Sequence, residues 1–249
     1  MRQSTSTHLH PIAAFRAMRG LMRDREDTKQ AFLLIEALRG KTTLRQLARF
    51  RQTEPGRRML AERPSLLAHL SNRASLAQLP PGSLGRAYFE FMAAEDLSAE
   101  QLVELSKVQR PLSGDEMIWF RERNREMHDL LHVAAGYGRD PLGEACVLAF
   151  SFAQTGQKGF AVIAIVAAFR IARRLRTLRV PRAVFEAYRQ GKRADWLIGA
   201  DWERLLSHPL DAVRAQFRVS APTYYPQILP SLRRLIAAVD AQRAQPVAV

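Results

Sequence analysis

Apolar residues along this chain recur three and four positions apart, the spacing that gathers side chains on one face of a helix. Alternating β-branched runs are absent, and so is any Asn-Gly or Asp-Gly hairpin turn, so the pattern predicts an all-α fold. Early helices are expected over Ile12–Met22, Thr28–Arg39 and Thr43–Phe50; the second carries Phe32, Ile35 and Leu38 on one stripe and stops at Gly40. Pro55, Gly56, Pro64, Pro80, Pro81 and Gly82 break residues 51–82 into short helical turns. The chain therefore divides into an N-terminal helical arm over 1–78, packed on the core, and a helical core over 79–249.

Within the core, helices are expected over Leu84–Ala94 and Ser98–Val108, then over Ser113–Ala135, where Ser113 and Glu116 supply an S-x-x-E capping box. Gly136 and Gly138 end that helix, and Asp140-Pro141 reads as the cap and first residue of the next, so a tight antiparallel hairpin turns at 136–139. Its second arm, Pro141–Gln154, and the following helix, Gly159–Leu175, are apolar nearly all round, as befits helices that are buried or line an oily cavity. Arg182–Arg189 and short helices near Trp202, over Leu210–Phe217 and over Leu232–Val239 complete the expected single-domain bundle.

Charge and composition narrow the function. Net charge is +14, from 33 arginines and five lysines against 24 acids, a field that attracts phosphate-bearing partners. The arginines are scattered and no zinc-finger or RNA-binding signature accompanies them, which argues against nucleic acid. The single cysteine excludes a disulfide framework within the chain and a cysteine-rich zinc site, leaving histidine and carboxylate as the available metal ligands. The longest apolar run, Phe160–Phe169, is half the roughly 20 residues of a spanning helix. The first 23 residues are basic and acid-free, which reads as a basic helix in preference to an organelle leader.

The chemistry concentrates in His128-Asp129-Leu130-Leu131-His132. Histidines at i and i+4 project from one helix face, roughly 5–6 Å apart at Cβ, so both imidazoles can reach one cation. His132 precedes Gly136 by four residues and Glu144 follows Asp140 by four, so each stands about 6 Å from the same turn and antiparallel arms bring them level. Two imidazoles and one or two carboxylates suit Zn2+ with an open position, with Fe2+ or Mn2+ as alternatives. Asp129, about 100° further round, is placed to be a ligand, an orienting partner or a general acid-base. A zinc-protease helix of the H-E-x-x-H type is the weaker match, because Asp replaces the glutamate base and no strand is available to hold a peptide.

His128-Asp129-x-x-His132, eleven residues and Glu144 resemble the H-D-x-x-H-x(11)-E signature of the coenzyme Q biosynthesis protein 4 family. Leu84-Gly85-Arg86-Ala87-Tyr88 with Phe91-Met92, Gln154-Thr155-Gly156, and the stretch from Gly191 through Trp196 to Asp201-Trp202-Glu203 extend the likeness over Leu79 to Tyr225. The resemblance implies a helical protein that holds a polyprenylated aromatic quinone precursor beside a divalent metal. His128, Asp129, His132 and Glu144 would be the ligands, with Asp129 also the catalytic residue, and the cation would act as a Lewis acid in a metal-dependent carboxy-lyase reaction at ring C1, with or without hydroxylation there. Its rival is an isoprenoid-binding scaffold for the other ubiquinone biosynthesis proteins, with a structural metal.

Further expectations concern the ligand's surroundings. Phe150, Phe152 and Phe160, with Phe169, are candidates to wall a tunnel for the tail; Arg86, Tyr88 and Arg139 are candidates to meet a carboxylate or phosphate. Arg170, Arg173, Arg174, Arg176 and Arg179 follow an apolar helix and can rest on an anionic membrane surface. That places the protein peripherally on the cytoplasmic face of a bacterial inner membrane or in the cytoplasm, or else on the matrix side of a mitochondrial inner membrane, with homodimerisation left open.

Overall fold

The computed structural model describes residues 8–23, 28–94 and 114–244; the helix expected over Ser98–Val108 lies outside them, as does Ser113. The described residues are helical throughout, with a lone bridge between Ser83 and Pro209 in place of any sheet. In chain order the helices are α1 (Pro11–Arg23), α2 (Thr28–Ala37), α3 (Thr42–Gln52), α4 (Glu54–Glu62), α5 (Leu66–Ser71), α6 (Arg73–Gln78), α7 (Leu84–Ala93), α8 (Asp115–Glu126) and α9 (His128–Ala135). They continue as α10 (Pro141–Thr155), α11 (Lys158–Leu175), α12 (Arg179–Arg193), α13 (Trp202–Leu205), α14 (Leu210–Gln216) and α15 (Tyr224–Ala244), with a 3-10 turn at Leu197–Gly199.

Helices α10, α11 and α12 pack against one another at the centre, and α15 lies across them. One continuous core runs from Leu47 to Leu232 and takes in Phe50, Met59, Leu66, Tyr88, Phe150 and Trp202. Ala14, Ala17, Leu21, Leu34 and Ala37 form a separate small cluster that leans on Val162 and Ile163 of α11. The expected arm over 1–78 thus has two parts: α3 to α6 share the main core, while α1 and α2 pack as a hairpin against α11.

Several boundaries differ from the sequence reading. The helix expected to run unbroken into Ala135 is divided at Met127, whose ψ of −3° departs from the roughly −42° of a regular helix. No glycine or proline marks this break; Met127 is buried, and its sulfur accepts the Trp202 indole N–H at 3.3 Å, so tertiary packing sets the bend. At the N-terminus of α8 the cap position belongs to Gly114, with φ +99° and no side-chain cap, and Glu116 instead pairs with Arg51. The tail carries one 21-residue helix, α15, where only a short piece was expected, even though Pro230 lies inside it. Tyr225, Ile228 and Leu232 anchor it in the core at helical spacing, and Glu186 accepts the Thr223 and Tyr224 amides at its start.

Candidate metal centre

The centre sits on the α9–α10 hairpin. Gly136 closes α9 at φ +78°, in the left-handed region that suits glycine. Asp140 caps α10, its Oδ1 accepting the Leu142 and Gly143 amides at 3.1 Å. The turn is so tight that a Cβ on Gly143 would stand 1.9 Å from the Gly138 carbonyl oxygen, so only glycine fits there. Arg214 of α14 donates to the Val133 and Ala134 carbonyls and so satisfies the exposed end of α9.

This construction brings three of the sequence-selected residues face to face. His128 Nε2 lies 3.5 Å and His132 Nε2 3.4 Å from the two Glu144 carboxylate oxygens, and the two Nε2 atoms are 3.3 Å apart. Ligand-capable atoms of His128, Asp129 and His132 all lie within 4.8 Å of one another. His132 is fully buried, and its Nδ1 stands 3.0 Å from the Gly138 carbonyl and 3.2 Å from that of Tyr137. Nδ1 must therefore carry the proton, and the Nε2 lone pair is turned toward the centre. Two imidazole nitrogens this close, facing one carboxylate, suit either a shared proton or a cation between them.

Electrostatics follow from the same contacts. Burial works to raise the Glu144 carboxyl, but hydrogen bonds from His128 and His132 outweigh it and hold the group well below the usual carboxylate range. Burial works to lower His128, and the Glu144 carboxylate overrides it, so that imidazole is raised. Asp129 is 2% exposed and its Oδ1 accepts from Arg139 Nη1 at 3.0 Å, which gives a buried acid an ionic partner. His128 and Glu144 remain partly exposed, so the centre opens on that side, while the Phe91 ring closes it over His132 at 5.6 Å.

The remaining candidates scatter. Arg139 reaches the centre through Asp129, and its guanidinium also nears the Met92 sulfur. Arg86 turns elsewhere, to Glu90 and the Ala77 carbonyl, and Tyr88 is buried in the main core. Phe152 lines an apolar cavity of about 870 Å³ between α10, α11 and α12, with Ala149, Ala164, Phe169, Val184 and Tyr188 among its other walls. Phe150 is wholly buried in the core and Phe160 is partly buried; neither is part of that lining. The cavity does not include the metal-centre residues, but the two are joined along α10: Glu144, Leu148 and Phe152 form its partly exposed stripe, about 12 Å long at 1.5 Å per residue. Phe91 and Tyr225 at the centre were not singled out as site residues; Phe91 falls in the block that carried the family likeness, whereas Tyr225 gives no local signal.

Comparison with known proteins identifies the family and the fold. The family model described as coenzyme Q (ubiquinone) biosynthesis protein Coq4 matches residues 10–223. The Bos taurus protein named ubiquinone biosynthesis protein COQ4 homolog, mitochondrial, is 29% identical over 184 residues, 74% of this chain and 68% of its own length. Its Schizosaccharomyces japonicus counterpart, also named mitochondrial, is 30% identical over 178 residues, 70% of this chain and 71% of its own. The crystal structure of a Nostoc punctiforme protein, provisionally described as a ubiquinone biosynthesis protein, superposes with a TM-score of 0.64 at 20% identity. It covers 86% of this chain and 100% of that one, which establishes the all-α fold.

Proposed function

Since the chain belongs to the coenzyme Q (ubiquinone) biosynthesis protein Coq4 family, we propose that it takes a polyprenylated hydroxybenzoate at the α9–α10 hairpin and removes the ring carboxyl at C1. The observation that carries this reading is the convergence of His128, His132 and Glu144 at 3.3–3.5 Å, with the buried Asp129 beside them. The donor set fits a divalent cation, Zn2+ first and Fe2+ or Mn2+ as alternatives, held by His128, His132, Glu144 and Asp129. When bound, the cation would supply Lewis-acid stabilisation of charge developing on the ring.

The protein's own groups do the rest. The Gly138 and Tyr137 carbonyls fix the His132 tautomer, and Glu144 holds both imidazoles in register. Arg139 holds Asp129 in place, where its carboxyl can take up or return a proton, and is the cation best placed to meet the substrate carboxylate. Phe91 shields His132 from water. In the simple reaction the C1–carboxyl bond breaks, CO2 leaves and a proton returns to the ring carbon; in the oxidative alternative one atom of dioxygen becomes the ring hydroxyl and an external two-electron donor reduces the other to water. The tail would follow the Leu148 side of α10 into the 870 Å³ cavity.

A second observation supports a partner surface. Ile165, Phe169, Leu178 and Phe185 line the cavity yet are 66%, 67%, 75% and 59% exposed, and Arg173 and Arg176 stand among them. An apolar mouth flanked by arginines fits an anionic bilayer from which a prenyl lipid is taken. No helix among the described residues is long and apolar enough to cross a membrane, so contact would be peripheral, at the cytoplasmic face of a bacterial inner membrane or the matrix side of a mitochondrial one. Other ubiquinone biosynthesis proteins would be its macromolecular partners.

The test is direct. Purified protein loaded with Zn2+, Fe2+ or Mn2+ in turn, given a prenylated hydroxybenzoate with and without oxygen, should release CO2. A protein that binds the compound and its partner enzymes but leaves the carboxyl intact with every metal would be the isoprenoid-binding scaffold instead, its metal structural.

A further inference from the structure

The geometry points to Tyr225 as a positioning residue that locks the two arms of the metal-binding hairpin together through a single hydroxyl; the inference rests on the metal-centre reading above. Tyr225 is the second residue of α15, two positions beyond the stretch matched by the family model. It is more than 90 residues from His128, Asp129 and His132 and 81 from Glu144.

Its hydroxyl accepts the Gly138 N–H at 3.0 Å and donates to Asp140 Oδ2. Each contact leads to a different ligand. The Gly138 carbonyl receives the His132 Nδ1 proton, so the backbone segment that Tyr225 grips is the one that orients His132. Asp140 caps α10, and its carbonyl accepts the Glu144 N–H at 2.9 Å, so the residue that Tyr225 holds from the other side sets where Glu144 begins. Arg214 and Gln190, which also reach the hairpin from outside, meet only carbonyls of its first arm.

The approach is close: a Cβ on Gly138 would stand 2.6 Å from the Tyr225 oxygen. Tyr225 is itself immobilised, its ring meeting Tyr137 edge-on at 5.4 Å and the preceding amides bound by Glu186. Burial, then the Asp140 carboxylate, push the Tyr225 hydroxyl far above its ordinary range, so it remains a proton donor at every working pH.

The experiment compares full-length wild type, Tyr225→Phe and the neighbouring control Tyr224→Phe. Co2+ uptake and its ligand-field spectrum report the metal site, and the NMR signal of the His132 Nδ1 proton reports the same ring without metal. Tyr225→Phe should weaken Co2+ binding roughly 10- to 100-fold, change the spectrum, and speed exchange of the Nδ1 proton, while Tyr224→Phe matches wild type. Should Tyr225→Phe fail to fold, Asp140→Asn serves, since asparagine keeps the cap but presents an amide to the hydroxyl; it should alter the spectrum in the same direction. A wild-type spectrum, affinity and Nδ1 exchange in the variant would overturn the inference. Failure of wild type itself to take up Co2+ would sink the metal reading, and the Nδ1 signal alone would then decide the role of Tyr225.

Discussion

The hairpin turn and the α11–α12 cavity lie at opposite ends of one stripe on α10 and are built on opposite rules. At the turn the polar groups around the centre have assigned partners: His132 to backbone carbonyls, Asp129 to Arg139, Asp140 to Tyr225, and the Val133 and Ala134 carbonyls to Arg214. In the cavity the walls are chiefly alanine, phenylalanine and aliphatic side chains, with Arg173 and Arg176 at the mouth and large apolar side chains left in the open. A metal needs atoms placed within tenths of an ångström, whereas a flexible tail needs only volume and apolar surface. In the proposed reading α10 serves both needs, since it carries a partly exposed residue every fourth position from Glu144 to Phe152.

Substitutions at the two ends should therefore fail in different ways. The largest effect is expected from Gly143→Ala, because a Cβ 1.9 Å from the Gly138 carbonyl oxygen must force the turn open. Chemical denaturation should show a loss of about 3 kcal/mol, the upper part of the overpacking range. A wild-type midpoint would mean that the turn is looser than this account requires. At the other end, Ala161→Phe fills part of the cavity without touching the hairpin. Displacing even two methylene groups of a tail, at about 0.8 kcal/mol each, weakens binding of a prenylated ligand by more than tenfold. Metal content should stay at wild type, and a fall in it would show the two ends to be coupled.

Smaller effects should separate the cavity mouth from the cavity itself. Phe169→Ser with Leu178→Ser should reduce pelleting with vesicles of both neutral and anionic lipid, since the apolar contribution does not depend on headgroup charge. Arg173→Gln should act on anionic vesicles alone, by about fivefold at low salt and less as salt rises. Equal loss on neutral vesicles would remove the electrostatic part of the docking model.

How much of this was readable beforehand follows the same division. The hairpin was legible because Gly136, Gly138, Asp140 and Pro141 fix a turn locally, and equal four-residue offsets on its two sides bring His132 and Glu144 level. The Asp129–Arg139 pair was not, since the turn that joins them is irregular and its side-chain directions do not follow from helical spacing. Tyr225 was beyond reach because its contact depends on how α15 crosses the core. In α10 and α11, apolar on nearly every face, periodicity could not tell a core residue from a cavity wall, which is why Phe150 and Phe152 looked alike and stand in different places. Arg86 looked available for an anion, and the Glu90 carboxylate one turn along the helix engages it instead.

Everything functional depends on His128, His132 and Glu144 sharing one cation. Elemental analysis of protein purified without chelator, beside His132→Ala treated in the same way, tests this most directly. The account predicts close to one divalent metal per chain in wild type and essentially none in the variant at unchanged helix content; equal metal in both, or none in wild type even after incubation with Zn2+, Fe2+ and Mn2+, would contradict it.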